Sequence, residues 1–322
     1  MSFKLTIGRV GFAACDLFPN EAIVAVSPDE QAASKDFLYL NLGARDLTGG
    51  SGQAVKGKTL NAKSLKAIEL QLPPMGEQRR IVDVVGAVDD CVEALEAQIA
   101  ATRTLRGGVL AELLGSPGPD WQLTTLGEVA EVVSGGTPRT RVPEFWSGDI
   151  VWVTPTEVVA KEGRVVFDSK RKITQAGLDG SSAKMLPVNA VLLTSRATIG
   201  AVALAGVPLA TNQGFASLVC GERILPRFAM YWCQVNTHEL VSRSGGNTFL
   251  EISRKKVAAI PLMLPPLAEQ RRIVEVVGAM DDQMAALETQ AAVTRTLRAG
   301  VLSELLSGKR LLDESYDRAA GL

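Results

Sequence analysis

The chain is short of the side chains from which most active sites are built: one histidine, four cysteines and 5% aromatic residues among 322. His238 stands among Val235, Asn236, Thr237 and Glu239 in a stretch that reads as helix, the setting of a surface or capping residue rather than a catalytic base. Cys15, Cys91, Cys220 and Cys233 include no Cys-x-x-Cys pair, so no zinc site or disulfide framework is signalled, and buried free thiols are the expectation for most of them. Phosphate loops, dinucleotide fingerprints and nucleophile elbows are missing too; Ser134-Gly135-Gly136-Thr137-Pro138 is glycine-rich but reads as a tight turn, without the lysine and helix of a phosphate loop. The acidic pairs Asp89-Asp90 and Asp281-Asp282 read as solvated faces of helices. No cofactor, no metal and no catalysis are expected.

Long hydrophobic runs are also lacking. Asn189 to Leu209, the most apolar stretch, is broken by Ser195, Arg196, glycines and a proline, so no membrane span is expected. Met1 leads into Ser2-Phe3-Lys4-Leu5 without the hydrophobic core of a signal peptide, which makes the cytoplasm the expected compartment. With 46% apolar and 21% charged residues the composition is that of a soluble globular protein long enough for two domains. Nor is there a surplus of charge, the formal net value being −1. Segments differ, however: 120–263 carries 15 basic and 12 acidic residues, whereas 73–119 carries 4 and 7 and 264–322 carries 7 and 9. That division suits acidic helices held off a polyanion and a globule held against it.

What the chain does contain, it contains twice. Leu72-Pro73-Pro74-Met75-Gly76-Glu77-Gln78-Arg79-Arg80-Ile81-Val82 returns as Leu264-Pro265-Pro266-Leu267-Ala268-Glu269-Gln270-Arg271-Arg272-Ile273-Val274, and 31 of the 44 positions from Leu72 onward are identical at an offset of 192. So long a period excludes a solenoid and indicates a duplicated module. After each Pro-Pro pair comes a proline-free run of good helix formers. Apolar residues recur in it at coiled-coil spacing: Val85, Val88, Val92, Leu95 and Ile99 in one copy, Val277, Met280, Met284, Leu287 and Ala291 in the other. A helix from Glu77 to Leu114 would be roughly 57 Å long, the dimension of a spacer. Thr102, Arg106, Thr294 and Arg298 fall on the same seams, where polar residues fix register. Gly107-Gly108 is expected to fray or kink the first helix near its end.

Between the helices the chain reads as short strands. Leu5 to Phe12 and Ala22 to Val26 look β-like before a helical Ser34 to Leu42. After the Ser116-Pro117-Gly118-Pro119 stop, Ile150 to Val153, Ala190 to Thr194, Gly200 to Leu204 and Phe215 to Val219 read as strands and Arg227 to Leu240 as helix. The offset of 192 reaches upstream: Thr6-Ile7-Gly8 matches Thr198-Ile199-Gly200, and Asn20 matches Asn212. Residues 1–72 thus repeat the back part of the second globule, and its front part, from Trp121 to about Asn189, has no counterpart there.

Binding chemistry concentrates in the second globule. Arg139, Arg141, Lys170, Arg171 and Lys172 form a basic stretch with Trp146 and Trp152 between the charges, able to neutralise phosphates, although a solvated loop has the same composition. Ser195, Arg196 and Thr198 end an apolar strand, and a guanidinium there could fork onto a phosphate or a guanine edge with hydroxyls beside it. Asn212, Gln213 and Asn247 supply amides on turns, a residue type that turns also need for their own sake.

These residues together resemble the DNA-specificity (S) subunits of type I restriction-modification systems. The resemblance rests on the doubled Leu-Pro-Pro-x-x-Glu-Gln-Arg-Arg-Ile-Val blocks with their long helices, on Leu126 to Pro138, and on Ser195 to Gly200 ahead of Asn212-Gln213-Gly214. It implies an α+β fold: mixed α/β target-recognition domains joined by two long helices packed as an antiparallel coiled coil. It divides the chain into a partial first recognition domain (1–72), a first spacer helix (73–117), a complete second recognition domain (118–263), a second spacer helix (264–310) and a polar tail (311–322). It implies a non-catalytic subunit that binds double-stranded DNA and holds methyltransferase subunits, joined by restriction subunits. Where the second domain has Ser195-Arg196 and Gln213-Gly214 the first has Phe3-Lys4 and Glu21-Ala22, which favours the second as the DNA reader. A truncated S-like chain completed by dimerisation or by a second S chain is the alternative.

Overall fold

The computed structural model describes residues 1–2, 7–45, 66–245, 250–312 and 315–316. It divides into two compact units, 1–101 with 284–322, and 102–283. The principal helices are α1 (Lys35–Gly43), α2 (Met75–Gly115), α3 (Pro226–Val235) and α4 (Leu267–Leu306). Both long helices start two residues ahead of the glutamates at which the sequence suggested they begin. Gly107-Gly108 neither ends nor interrupts α2: a helix already nucleated over eight turns tolerates two glycines, each costing only about 1 kcal/mol against alanine.

In the first unit the beginning of α2 lies against the end of α4. Ile81 and Val85 share a core with Leu302, Leu305 and the α1 residues Phe37 and Leu40, and Leu95 and Ile99 pack with Ala291 and Leu287. Polar pairs fix the direction: Arg298 donates through Nη2 to Asp89 Oδ2 at 2.7 Å, and Arg295 pairs with Glu96. Numbers rise along one helix as they fall along the other, the antiparallel arrangement. Of the other seam residues, Val88, Val92, Met280 and Met284 are half-buried. In the second unit Leu110 shares a core with Ile273 and Val277, and Arg106 pairs with Asp281 while donating to Gln234 Oε1 at 3.0 Å. Tyr231 donates its hydroxyl to Asp281 Oδ2 at 2.6 Å, and burial, then that carboxylate, raise its pKa so that it stays a donor. Asp89 and Asp281 are therefore not the solvated residues their sequence context suggested. Each is held by the repeat-equivalent arginine, Arg298 or Arg106, and is less exposed than its neighbour Asp90 or Asp282.

The globule of the second unit is built on three sheets. A five-stranded sheet has the order β2-β9-β6-β7-β4, with β2 (Ala130–Ser134), β4 (Val165–Val166), β6 (Val191–Leu193), β7 (Val202–Ala205) and β9 (Ala216–Cys220). A three-stranded sheet joins β5 (Arg171–Ile173), β3 (Trp146–Val153) and β8 (Ala210–Thr211), and β1 (Gln122–Thr125) pairs with β10 (Pro261–Leu264). Every ladder of a strand beyond residue 194 runs to a strand before it: β7 to β6 and β4, β8 to β3, β9 to β2 and β6, β10 to β1.

That pairing rule explains why the first globule departs from expectation. Its local turns repeat those of the second. The Ser2–Ile23 bridge matches Thr194–Phe215, Gly8 N donates to Ser2 O as Gly200 N does to Thr194 O, and Ala22 N donates to Asn20 Oδ1 as Gly214 N does to Asn212 Oδ1. Yet among the described residues of Leu5–Phe12 and Ala22–Val26 no strand forms, and Ile23 makes the one bridge. The strands that would pair with them correspond to residues 122–193, which 1–72 does not repeat. Thiols differ as well: Cys15 and Cys91 are exposed, whereas burial pushes the Cys220 and Cys233 thiols up to about 12.

One device ties each long helix to its globule. Gln78 is fully buried; its amide donates to Ala32 O and Pro73 O, both at 2.9 Å, and accepts from Ser34 N at 3.0 Å. Gln270 repeats the set with Arg223 O, Pro265 O and Leu225 N, one residue earlier in the globule because Pro226 has no N–H. Gln270→Leu leaves the buried Pro265 O and two part-buried backbone groups without this partner and is expected to cost about 2 kcal/mol, read as a lowered urea midpoint.

Candidate nucleic-acid interface

The basic residues meet through β-pairing. Strands β3 and β5 run antiparallel with Trp152 opposite Arg171, and the ladder has a register shift between Trp146 and Ile150, with Ser147 at φ 62° and Trp146 half-buried against the Trp152–Ile173 cluster. Arg171 lies over the Trp146 ring at 3.6 Å, Trp146 meets Trp152 edge to face at 5.2 Å, and Trp146 Nε1 donates to Arg139 O at 3.2 Å. Trp146 therefore brings Arg139 and Arg171 to one place, and Arg141 follows on the same exposed turn. Stacking fixes the guanidinium plane while leaving its N–H edge available to a phosphate. Among the described residues no carboxylate pairs with these three arginines. Lys172 is different: it pairs with Asp168 at 3.1 Å and, with the Ser169 amide, holds that carboxyl below the usual range. Lys170 is exposed, its backbone N–H donating to Glu157 Oε1 at 2.7 Å.

A second group forms where four segments are laced together. Gly136 N donates to Thr211 O at 2.8 Å, Thr137 bonds to Gln213, Ser195 N donates to Gly214 O at 2.8 Å, and Ile252 N donates to Ser195 O at 3.0 Å. Gln213 and Arg196 are exposed on this strip. Arg196 pairs with Glu251 at 3.0 Å, a partner absent from the sequence reading, and must exchange it for any DNA group it binds. Ser195, 3% exposed, belongs to the framework, while Thr198 is exposed and Asn212 uses its Oδ1 on Gly214 N. Asn247 lies outside the described residues. The glycines read as a tight turn serve close approach instead: a Cβ on Gly135 would lie 2.1 Å from Thr211 O, and one on Gly136 2.3 Å from Ala183 N. His238 is exposed, 3.6 Å from Glu239.

The family model for the type I restriction modification DNA specificity domain matches residues 1–102 and 119–293. The chain belongs to that family. Among its relatives, the MjaIX specificity subunit of Methanocaldococcus jannaschii is 33% identical over 52% of this chain and 40% of its own length. The EcoR124I/EcoR124II specificity subunit of Escherichia coli is 27% identical over 70% of this chain and 58% of its own. The chain thus matches about half the length of these curated specificity subunits. The crystal structure of the HsdS subunit from Thermoanaerobacter tengcongensis shares the fold at 22% identity, with a TM-score of 0.51 over 88% of this chain and 72% of that one. Among the described residues no helix is long and apolar enough to cross a membrane.

Proposed function

We propose that this specificity-family chain reads double-stranded DNA through residues 118–263 and presents its two spacer helices, 73–117 and 264–310, to methyltransferase subunits, with restriction subunits joining the assembly in the cytoplasm. The observation that carries the DNA reading is Arg171 stacked on Trp146, whose indole holds the carbonyl of Arg139 at the start of the exposed turn that also carries Arg141, with no carboxylate paired to any of the three among the described residues. Phosphates would take Arg139, Arg141 and Arg171, and the strip with Gln213 and Arg196 would face base edges. The test is binding of the whole chain to duplex DNA across a salt series: a log–log slope of about −3 or steeper supports the reading, and a flat one removes it.

The partner role is supported by apolar residues that the spacer helices leave uncovered. Leu105 and Leu297 are repeat equivalents, 61% and 57% exposed, and Val293 lies beside Leu297 in a shallow groove with Ala292 and Thr296. Identity on this outward face is unnecessary for helix pairing and is what two equivalent partners would need. Leu105→Asp with Leu297→Asp is expected to abolish co-purification of the methyltransferase while DNA binding persists, since neither side chain packs in the protein.

A further inference from the structure

The tip of the β6–β7 hairpin is held by the chain around Glu251. Arg196 and Glu251 stand opposite each other in an antiparallel bridge, flanked by Ile252 N donating to Ser195 O at 3.0 Å and Ala197 N to Leu250 O at 3.2 Å. They are thus a pair without hydrogen bonds between their own backbones, the kind in which opposed side chains approach most closely. Glu251 is fixed from its other side as well, exchanging two backbone bonds with Gly245, each at 3.0 Å. Directly opposed residues project from one face of a ladder and their neighbours from the other. Ser195 and Ile252 are accordingly 3% and 1% exposed, whereas the Arg196 and Glu251 side chains are 47% and 45% exposed and meet at 3.0 Å. Ala197, at φ 64°, bends the chain directly after Arg196, a conformation alanine adopts only at a cost, and Ala197 and Thr198 are exposed too. An exposed ion pair adds little to stability, and the backbone bonds already hold these segments, so packing does not account for a carboxylate at 251.

We infer that Arg196 and Glu251 together read the major-groove edge of one G·C pair, the arginine taking the guanine and the carboxylate the cytosine. This deepens the reading of residues 118–263 as the DNA-binding segment and rests on it. Arg196 has to leave Glu251 to bind DNA, and what Glu251 then faces decides whether the exchange is favourable. Beside a phosphate it faces acceptors and like charge only, so the ion pair stays closed against the DNA backbone. A G·C edge presents two adjacent acceptors, guanine N7 and O6, and then the cytosine N4 amino donor, the order that suits a guanidinium fork set beside a carboxylate. An A·T edge alternates acceptor, donor and acceptor, and leaves the fork half satisfied. Glu251 is thus a specificity-determining residue that acts against DNA without that base pair, by making the release of Arg196 unfavourable there.

Selection of the whole chain on a pool of randomised duplexes tests it, with a salt series on one random-sequence duplex, for the unaltered chain, Glu251→Ala and Arg196→Ala. Both variants are expected to lose, by about tenfold or more, the preference for a G·C pair at the same position of the selected motif. The other positions keep theirs, which also shows that the domain is folded. Glu251→Ala should steepen the salt slope on the random duplex by about 0.9, because Arg196 becomes free for a phosphate, and Arg196→Ala should leave the slope unchanged. Several results overturn the inference while the DNA reading stands: a motif unchanged in Glu251→Ala, a lost position that is not G·C or differs between the variants, loss of preference at every position, or a slope made shallower by about 0.9 in Arg196→Ala. An unaltered chain that binds no duplex overturns both.

Discussion

Alanine at Arg139, Arg141 and Arg171 together is expected to weaken duplex binding by roughly a hundredfold or more and to reduce the salt slope by about 2.7. Each phosphate contact releases close to one counterion, a slope of about 0.9, and each charge-assisted bond contributes about 1.5 kcal/mol. Arg139 and Arg141 are exposed on a turn, so their loss leaves packing intact. Arg171 also covers Trp146, and an Arg171→Lys variant, which keeps the charge but loses the planar stack, separates the two contributions. A triple variant with unchanged slope would take the arginines off the DNA path.

Gly135→Ala is expected to cost about 3 kcal/mol or more and to abolish duplex binding at micromolar protein. The new methyl would meet Thr211 O at 2.1 Å and Asn212 O at 2.2 Å. Both are backbone atoms, and Thr211 O already accepts from Gly136 N, so relief requires the loop carrying Thr137 to leave the one carrying Gln213. Gly107→Ala and Gly108→Ala are the contrast. Nothing lies within 4 Å of either Cβ position, so each should raise the stability of α2 by up to about 1 kcal/mol. Urea midpoints of the three variants decide the matter, and equal behaviour of Gly135 and Gly107 would show the loop contact to be absent.

The long helices were legible because their signals are local and repeated: a Pro-Pro start, 40 residues of helix formers and an apolar seam. Strands β3, β6, β7 and β9 were legible from apolar runs while β1, β2, β4, β5, β8 and β10 were not, and the described residues of Leu5–Phe12 and Ala22–Val26 were misread for an instructive reason. Leu5–Phe12 has the composition of a strand, but a strand also needs a ladder partner, and composition carries no information about that. Site residues divide in the same way. The basic residue types could be picked from the sequence, but Trp146 as their platform depends on a register shift in β3, and Glu251 reaches Arg196 across 55 positions. Asp89 and Asp281 looked solvated because each ion-pair partner lies on the other long helix, at a distance that follows from antiparallel pairing of the duplicated seam.

The most direct test of the central claim, that residues 118–263 read DNA for a methyltransferase, is mapping of methylated bases in cells that express this chain with its cognate methyltransferase. The proposed function predicts a methylated sequence motif that appears with the chain and fades when Arg139, Arg141 and Arg171 are replaced. Methylation at the same sites without the chain, or a motif unaffected by the triple variant, would contradict it.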